Sequence, residues 1–155
     1  MIEKIYYYLN FKLIAFRFRL LKNKLKSCGL NVSIDDKAVI LGCENICIGS
    51  DVSINAFVHI WGHGGVEIGN GSLIASHCSL TSLTHNPSVL PYKDEVVSKK
   101  IVIGKNVWIG SHSVIMPGIT IGDNAIIGAG SIVTKDIPNN CIVSGVPAKL
   151  MRINT

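Results

Sequence analysis

The sequence predicts an all-β solenoid of stacked six-residue repeats, preceded by a short α-helix and interrupted once by a projecting loop. Three observations carry this prediction. From Ile103 onward every sixth residue is a branched aliphatic, through Ile109, Ile115, Ile121, Ile127 and Val133. Glycine follows that aliphatic at Gly104, Gly110, Gly122 and Gly128. Only 6% of the 155 residues are aromatic against 48% hydrophobic, which suits a narrow interior filled by branched side chains.

A period of six is neither helical nor a plain strand alternation. It describes a short strand, a turn and another short strand, with one aliphatic per unit pointing inward. Four places after each aliphatic stands a residue that is often small: Val107, Ser113, Ile119, Ala125, Ser131 and Ile137. The same phase runs upstream through Ile34 and Ile40, then Ile48, Ile54 and Ile60, then Ile68, Ile74 and Leu80. Three such sides make a triangular turn, and stacked turns pair in parallel to form a continuous aliphatic column. These positions suggest between four and five turns. Glycine beside the aliphatic is expected to relieve the backbone where the chain bends. Two-residue slips separate Ile40 from Ile48 and Ile60 from Ile68, and a longer interruption covers residues 86–100.

Length allows one domain. The reading divides it into an N-terminal helical segment, 1–29, and a solenoid, 30–155, that carries the interruption. Residues 2–25 read as a helix, with Ile2, Tyr6, Leu9, Leu13, Phe16 and Leu20 at spacings of three and four. The net charge of +5 is uneven, since residues 1–27 hold seven Lys or Arg against Glu3 alone. The body is nearly neutral and offers nothing to nucleic acid. Two roles are open for the basic helix. It can cap the first turn's open edge, or attach to an anionic membrane surface through Lys12, Arg17, Arg19, Lys22, Lys24 and Lys26. Charges interrupt the apolar N-terminal run, so neither a signal peptide nor a membrane span is expected. The five cysteines form no CxxC pair. Reduced thiols in the cytoplasm, with peripheral contact at the membrane's inner face if the helix attaches, are the expectation.

The stretch VWIGSHSVIMPGITIGDNAIIGAGSIVTKDIPNNCIVSGVPAKLMR, residues 107–152, resembles the hexapeptide-repeat acyltransferases. It is most similar to the galactoside, maltose and capsule-sugar O-acetyltransferases, and SLTSLTHNP at 79–87 agrees in pattern. The resemblance covers roughly residues 30–152 and implies a left-handed parallel β-helix. It further implies a homotrimer with acetyl-CoA bound between neighbouring prisms, and no metal.

It also implies roles for particular residues. His85 falls on the family's catalytic histidine, and an imidazole titrating near 6.5 suits the abstraction of a hydroxyl proton at neutral pH. Ser111, through its backbone N–H, falls on the donor facing the negatively charged tetrahedral centre. Trp108 is read as a wall against cofactor or acceptor, or as an exposed aromatic of the coil. Asn55 aligns with an acceptor-contacting Asn, or is a turn residue. Tyr92 belongs to the interruption, which is expected to reach a neighbouring subunit and shape the acceptor pocket. For the cofactor, Ala129, Gly130 and Ser131 offer exposed main chain to the pantetheine arm. Thr134, Lys135, Lys149 and Arg152 match positions near its phosphates. His112 is read as a surface or cofactor-edge residue, His59, His63 and His77 as structural or acceptor-side. Cys78 shares the small inward position and is expected to be inert.

The activity so implied is acetyl-CoA-dependent O-acetylation of a sugar or polysaccharide hydroxyl by direct transfer. N-acetylation of a nucleotide-linked amino sugar is the nearest alternative. A zinc β-helix of the carbonic anhydrase kind is the alternative from another class; His59 and His63, with three residues between them, do not supply its histidine spacing.

Overall fold

The computed structural model describes residues 2–153, and these form a triangular parallel β-solenoid behind one α-helix. Three sheets make the three faces of the prism. The first face stacks Ser27–Cys28, Ile46–Ile48, Val66–Ile68, Ile101–Ile103 and Thr120–Ile121. The second stacks Ser33–Ile34, Ser53–Ile54, Leu73–Ile74, Trp108–Ile109, Ile126–Ile127 and Cys141–Ser144, closed by the antiparallel Lys149–Ile153. The third stacks Val39–Leu41, His59–Trp61, Ser79–Thr81, Val114–Ile115 and Ile132–Val133. The solenoid makes about six turns, more than the aliphatic count suggested. The added length comes from Ser27–Cys28 at one end and Cys141–Ser144 at the other.

Register explains the periodicity. Ile54, Ile74, Ile109 and Ile127 pair directly above one another and are all buried. Each such isoleucine removes an apolar side chain from water, worth about 1.5–3 kcal/mol. The small residues four places on are inward too, with Ser113, Ala125 and Ser131 fully buried. Cys78 occupies the same position, as expected, and its Sγ donates to the Gly110 carbonyl at 3.1 Å. Burial pushes this thiol's pKa up.

The glycines after the aliphatics serve a different purpose from the bend assigned to them. Gly110 does not have a positive φ. A Cβ there would stand 2.6 Å from the Ala129 nitrogen of the next turn. Close approach of successive turns, rather than curvature, demands glycine. The positive φ angles fall two residues later, directly before the small inward residue. Asn31, Asp51, Asn106, Asn124 and Asn140 hold them along the edge between the first and second faces. Their side chains form a polar ladder, with Asn31 donating to Asp51 at 3.0 Å and Asn106 to Asn124 at 3.2 Å.

The departures from period six share one place. Both two-residue slips lie where the third face turns into the first, at the short 3-10 turn Cys43–Asn45 and at residues 62–65. The long interruption leaves from the same edge. It departs after Ser82 and returns at Lys99, whose N–H donates to the Ser82 carbonyl at 2.8 Å. Buried Ser82 pins the exit, its hydroxyl donating to the Trp61 carbonyl at 2.7 Å and accepting from the Gly64 N–H at 2.8 Å.

The helix α1, Ile2–Lys24, covers the first turn only in part. Ile14, Phe18 and Leu21 face Ile34 and Ala38 across a cavity of about 180 Å³, and Leu25 enters the core. The stripe expected to pack is not the one that does. Tyr6, Leu9, Leu13, Phe16 and Leu20 are all exposed. The helix is apolar around most of its circumference, so spacing alone does not select the buried face.

Candidate active site

His85 ends the strand Leu83–His85, which runs antiparallel to Val96–Ser98 in a small ribbon at the base of the excursion. In register it stands opposite Val96. The ring is exposed and lines a cavity of about 430 Å³ together with Trp61, Thr81, Leu83 and Val96. The ribbon projects from the edge between the third and first faces. An imidazole held on a pinned ribbon at a cavity mouth can take a proton from a group seated inside.

Ser111 lies elsewhere, in the turn between the second and third faces. Gly110, just before it, donates to the Ile127 carbonyl at 2.8 Å, and the Ser111 carbonyl accepts from Gly130 at 2.8 Å. The Ser111 N–H itself enters no hydrogen bond among the described residues. Five residues of extended chain across the third face span roughly 17 Å at about 3.3 Å per residue. Within one chain, therefore, His85 and Ser111 occupy opposite edges of one face.

Several of the other expected residues lie on the same two edges, and the rest on the second face or the excursion. Asn55 opens the equivalent turn two rungs below Ser111; it is exposed, and its carbonyl accepts from Val58 at 3.4 Å. Ala129 and Gly130 form the turn above and are exposed, with open space where a Cβ on Gly130 would be. Lys149 pairs with Ser144 at the end of the second face, near this edge. Thr134 and Lys135 are exposed beyond Val133, on the edge that carries His85. Arg152 pairs with Ile142, further back along the second face. Trp108 points outward from the second face, 51% exposed, between Leu73 and Ile126. Tyr92 stands in the 3-10 turn Tyr92–Asp94 of the excursion, exposed and outside the His85 cavity lining.

Ser131 does not present the exposed main chain expected of it. It is fully buried, its hydroxyl donating to the Gly128 carbonyl at 2.6 Å and accepting from the Gly145 N–H at 3.1 Å. Its place at the small inward position decides this.

Two arrangements go beyond the roles expected of single residues. Phe57, His77 and His112 form a column of stacked rings along the Ser111 edge, at 4.8 Å and 4.6 Å between centroids. Trp61 forms a wall of the His85 cavity. The sequence marked the first only through aromatic residues standing where other turns carry Asn or Gly, and the second only through the cluster HIWGH at 59–63. Among the described residues no group of three or more His, Cys, Asp or Glu is disposed to hold a metal.

Comparison with known proteins agrees with this architecture. The family profile described as bacterial transferase hexapeptide (six repeats) matches residues 100–135. A galactoside O-acetyltransferase of Escherichia coli (strain K12) is 44% identical over 138 residues, spanning 88% of this chain and 68% of that protein. The crystal structure of a hexapeptide-repeat acetyltransferase from Vibrio cholerae superposes with a TM-score of 0.86 at 28% identity, covering 91% of this chain and 81% of that one. A galactoside acetyltransferase in complex with coenzyme A superposes with a TM-score of 0.84 at 41% identity, covering 90% and 70%. These folds are left-handed β-helices, and the solenoid described above is one of them. The chain belongs to the bacterial hexapeptide-repeat acetyltransferases.

Proposed function

We propose that this enzyme transfers the acetyl group of acetyl-CoA directly to a hydroxyl of a sugar or polysaccharide, with His85 as general base. The single observation that carries the reading is the imidazole at the mouth of the cavity bounded by Trp61, Thr81, Leu83 and Val96. An acceptor hydroxyl seated there gives its proton to His85 as its oxygen attacks the thioester carbonyl. The carbonyl oxygen becomes an oxyanion, which the unpaired Ser111 N–H receives. Collapse breaks the carbon–sulfur bond, and the imidazolium returns its proton to the departing thiolate.

Ala129 and Gly130 support this assignment of the donor, because exposed backbone with no side chain in the way suits a pantetheine arm. Lys135 and Lys149 bring positive charge to a phosphorylated end. The separation of His85 from Ser111 supports assembly as a homotrimer. The His85 edge of one copy meets the Ser111 edge of the next, which completes a site that one chain holds in halves.

The helix supports contact with an anionic membrane surface. No helix among the described residues is long and apolar enough to cross a membrane. Exposed Tyr6, Leu9, Leu13 and Phe16 accompany Lys12, Arg17 and Arg19, a combination suited to lying at a lipid interface. Cytoplasmic placement at the inner face, near polysaccharide synthesis, follows from that reading. Co-sedimentation with anionic vesicles, with and without residues 1–27, tests it; equal recovery of both forms counts against it.

The central test is thiol release from acetyl-CoA across sugars, amino sugars, serine and antibiotics. Sugar hydroxyls are expected to support turnover. His85→Ala is expected to lower kcat by about 10²- to 10⁴-fold and leave acetyl-CoA affinity nearly intact. A fully active His85→Ala enzyme would refute the mechanism.

A further inference from the structure

Trp61 ends the strand His59–Trp61 on the third face, and its indole is 41% exposed on the wall of the His85 cavity. The ring does not hang free. His59, two residues earlier on the same face, stacks on it with centroids 5.7 Å apart and planes inclined by 21°. His63, beyond the turn, meets it at 6.3 Å with a tilt of 55°. The Trp61 carbonyl is tied to Ser82, the residue from which the His85 ribbon departs. One backbone junction thus sets both the indole and the imidazole.

The chemistry of the remaining walls is restrictive. Leu83 and Val96 are apolar. Thr81 Oγ1 already donates to the Leu83 carbonyl at 3.1 Å, so its hydroxyl has only lone pairs left to offer. Among the described residues no Lys, Arg, Asp or Glu lines the cavity. An anionic group entering it would lose water without meeting a Lys or Arg of the same chain. A neutral pyranose fits these walls: its C–H face lies against the indole, and its hydroxyl edge turns to Thr81 and His85.

We infer that Trp61 is a specificity-determining residue, the wall of an acceptor subsite that selects neutral pyranosides over uronic acids and sugar phosphates. The inference rests on the acetyl-transfer reading, with His85 at the reacting hydroxyl. Braced from two sides, the indole binds the ring without first being ordered, so its contribution falls on acceptor affinity.

The experiment compares full-length wild type, Trp61→Ala, Trp61→Phe and His85→Ala by thiol release, using neutral hexopyranosides, a matched uronate and a matched sugar phosphate. Wild type is expected to prefer the neutral ring. Trp61→Ala is expected to raise the KM for it about tenfold, leave the acetyl-CoA KM within about twofold, and narrow the discrimination by about the same tenfold; Trp61→Phe keeps most of both. A Trp108→Phe chain retains Trp61 as its one indole, so fluorescence reports binding directly. Neutral sugars are expected to produce a saturable change and the uronate none. An unchanged acceptor KM in Trp61→Ala, equal use of the uronate by wild type, or a changed assembly mass in Trp61→Ala would each overturn the assignment. A fully active His85→Ala enzyme breaks the underlying reading. An inactive His85→Ala beside an unaltered Trp61→Ala breaks only this one.

Discussion

His77 and His112 lie face to face, their ring centroids 4.6 Å apart and their planes inclined by only 5°. Both residues, and Phe57 beneath them, hold positive φ angles of 61° to 63°. That conformation costs about 1–2 kcal/mol where a Cβ is present. Ser111 immediately precedes His112, so the stack that tolerates this cost also fixes the turn presenting the Ser111 N–H.

His112→Gly separates the two effects. Glycine removes the φ penalty while the ring contact, worth about 0.5–1.5 kcal/mol, is lost. Denaturant stability is expected to stay within about 1 kcal/mol of wild type, while kcat drops roughly 10- to 100-fold as the turn loosens. His112→Phe, which keeps a ring in place, is expected to recover most of kcat. An unaltered kcat in His112→Gly would show that the column has no part in positioning.

The Ser111 N–H can be removed without dismantling its turn. Pro is favoured at the first central position of a turn whose second central residue has positive φ. Pro117 before Gly118 already uses that arrangement on the next edge. Ser111→Pro is expected to lower kcat by about 10²- to 10³-fold with the fold intact by circular dichroism. Ser111→Ala, which keeps the N–H, is expected to stay within a few-fold of wild type. If both variants behave alike, the donor lies elsewhere.

Two glycines of neighbouring turns should respond differently to alanine. Gly110→Ala drives a Cβ to 2.6 Å from the Ala129 nitrogen and 2.8 Å from the Ile127 carbonyl oxygen, both backbone atoms. A loss of about 1–3 kcal/mol is expected on denaturant unfolding, with weaker acetyl-CoA binding as the Ala129 turn is pushed away. Gly130→Ala meets no atom within 4 Å and bears only the cost of its φ of 70°, about 1 kcal/mol. Equal losses would mean that close approach between turns is not what Gly110 provides.

Cys78 gives a pH signature. Burial raises its pKa above the ordinary thiol value of 9.0, so the folded chain holds this proton more tightly than the unfolded chain. Its contribution to stability is complete below 9.0 and is lost as pH climbs from there through the raised value. Cys78→Ala is expected to flatten that part of the alkaline slope in unfolding measured from pH 8 upward. In the folded enzyme Cys78 should resist alkylation after the partly exposed Cys28 and Cys47 have reacted. Early modification of Cys78 would contradict its inward placement.

The sequence disclosed the stacked column because one residue in six must be a large inward aliphatic. Ile54, Ile74, Ile109 and Ile127 could be read as a series without knowing which face they shared. It did not disclose the edges. The slips after Ile40 and Ile60 and the excursion after Ser82 looked like separate irregularities, and only the triangular phase shows them on one corner. His85 stood out through the resemblance of THNP at a break in the repeat; its place on the edge opposite Ser111 did not, since linear order says nothing about distance around a prism. Trp61 escaped because the residue after an inward isoleucine points outward, and outward positions are weakly constrained by any repeat. The helix stripe was misassigned for the converse reason: where most of a surface is apolar, periodicity has little contrast.

Confining every irregularity to one corner leaves two corners of uniform rungs, whose spacing is untouched by whatever happens at the third. The closure of Ser82 on Lys99 at 2.8 Å anchors the ribbon that holds His85 opposite Val96, so a segment exchanged within residues 86–95 meets the same two paired strands. Under the assignments made above, donor handling and acceptor choice become separately exchangeable parts of one scaffold. Change confined to residues 86–95 leaves Trp61, Thr81 and His85 where the prism and the ribbon hold them.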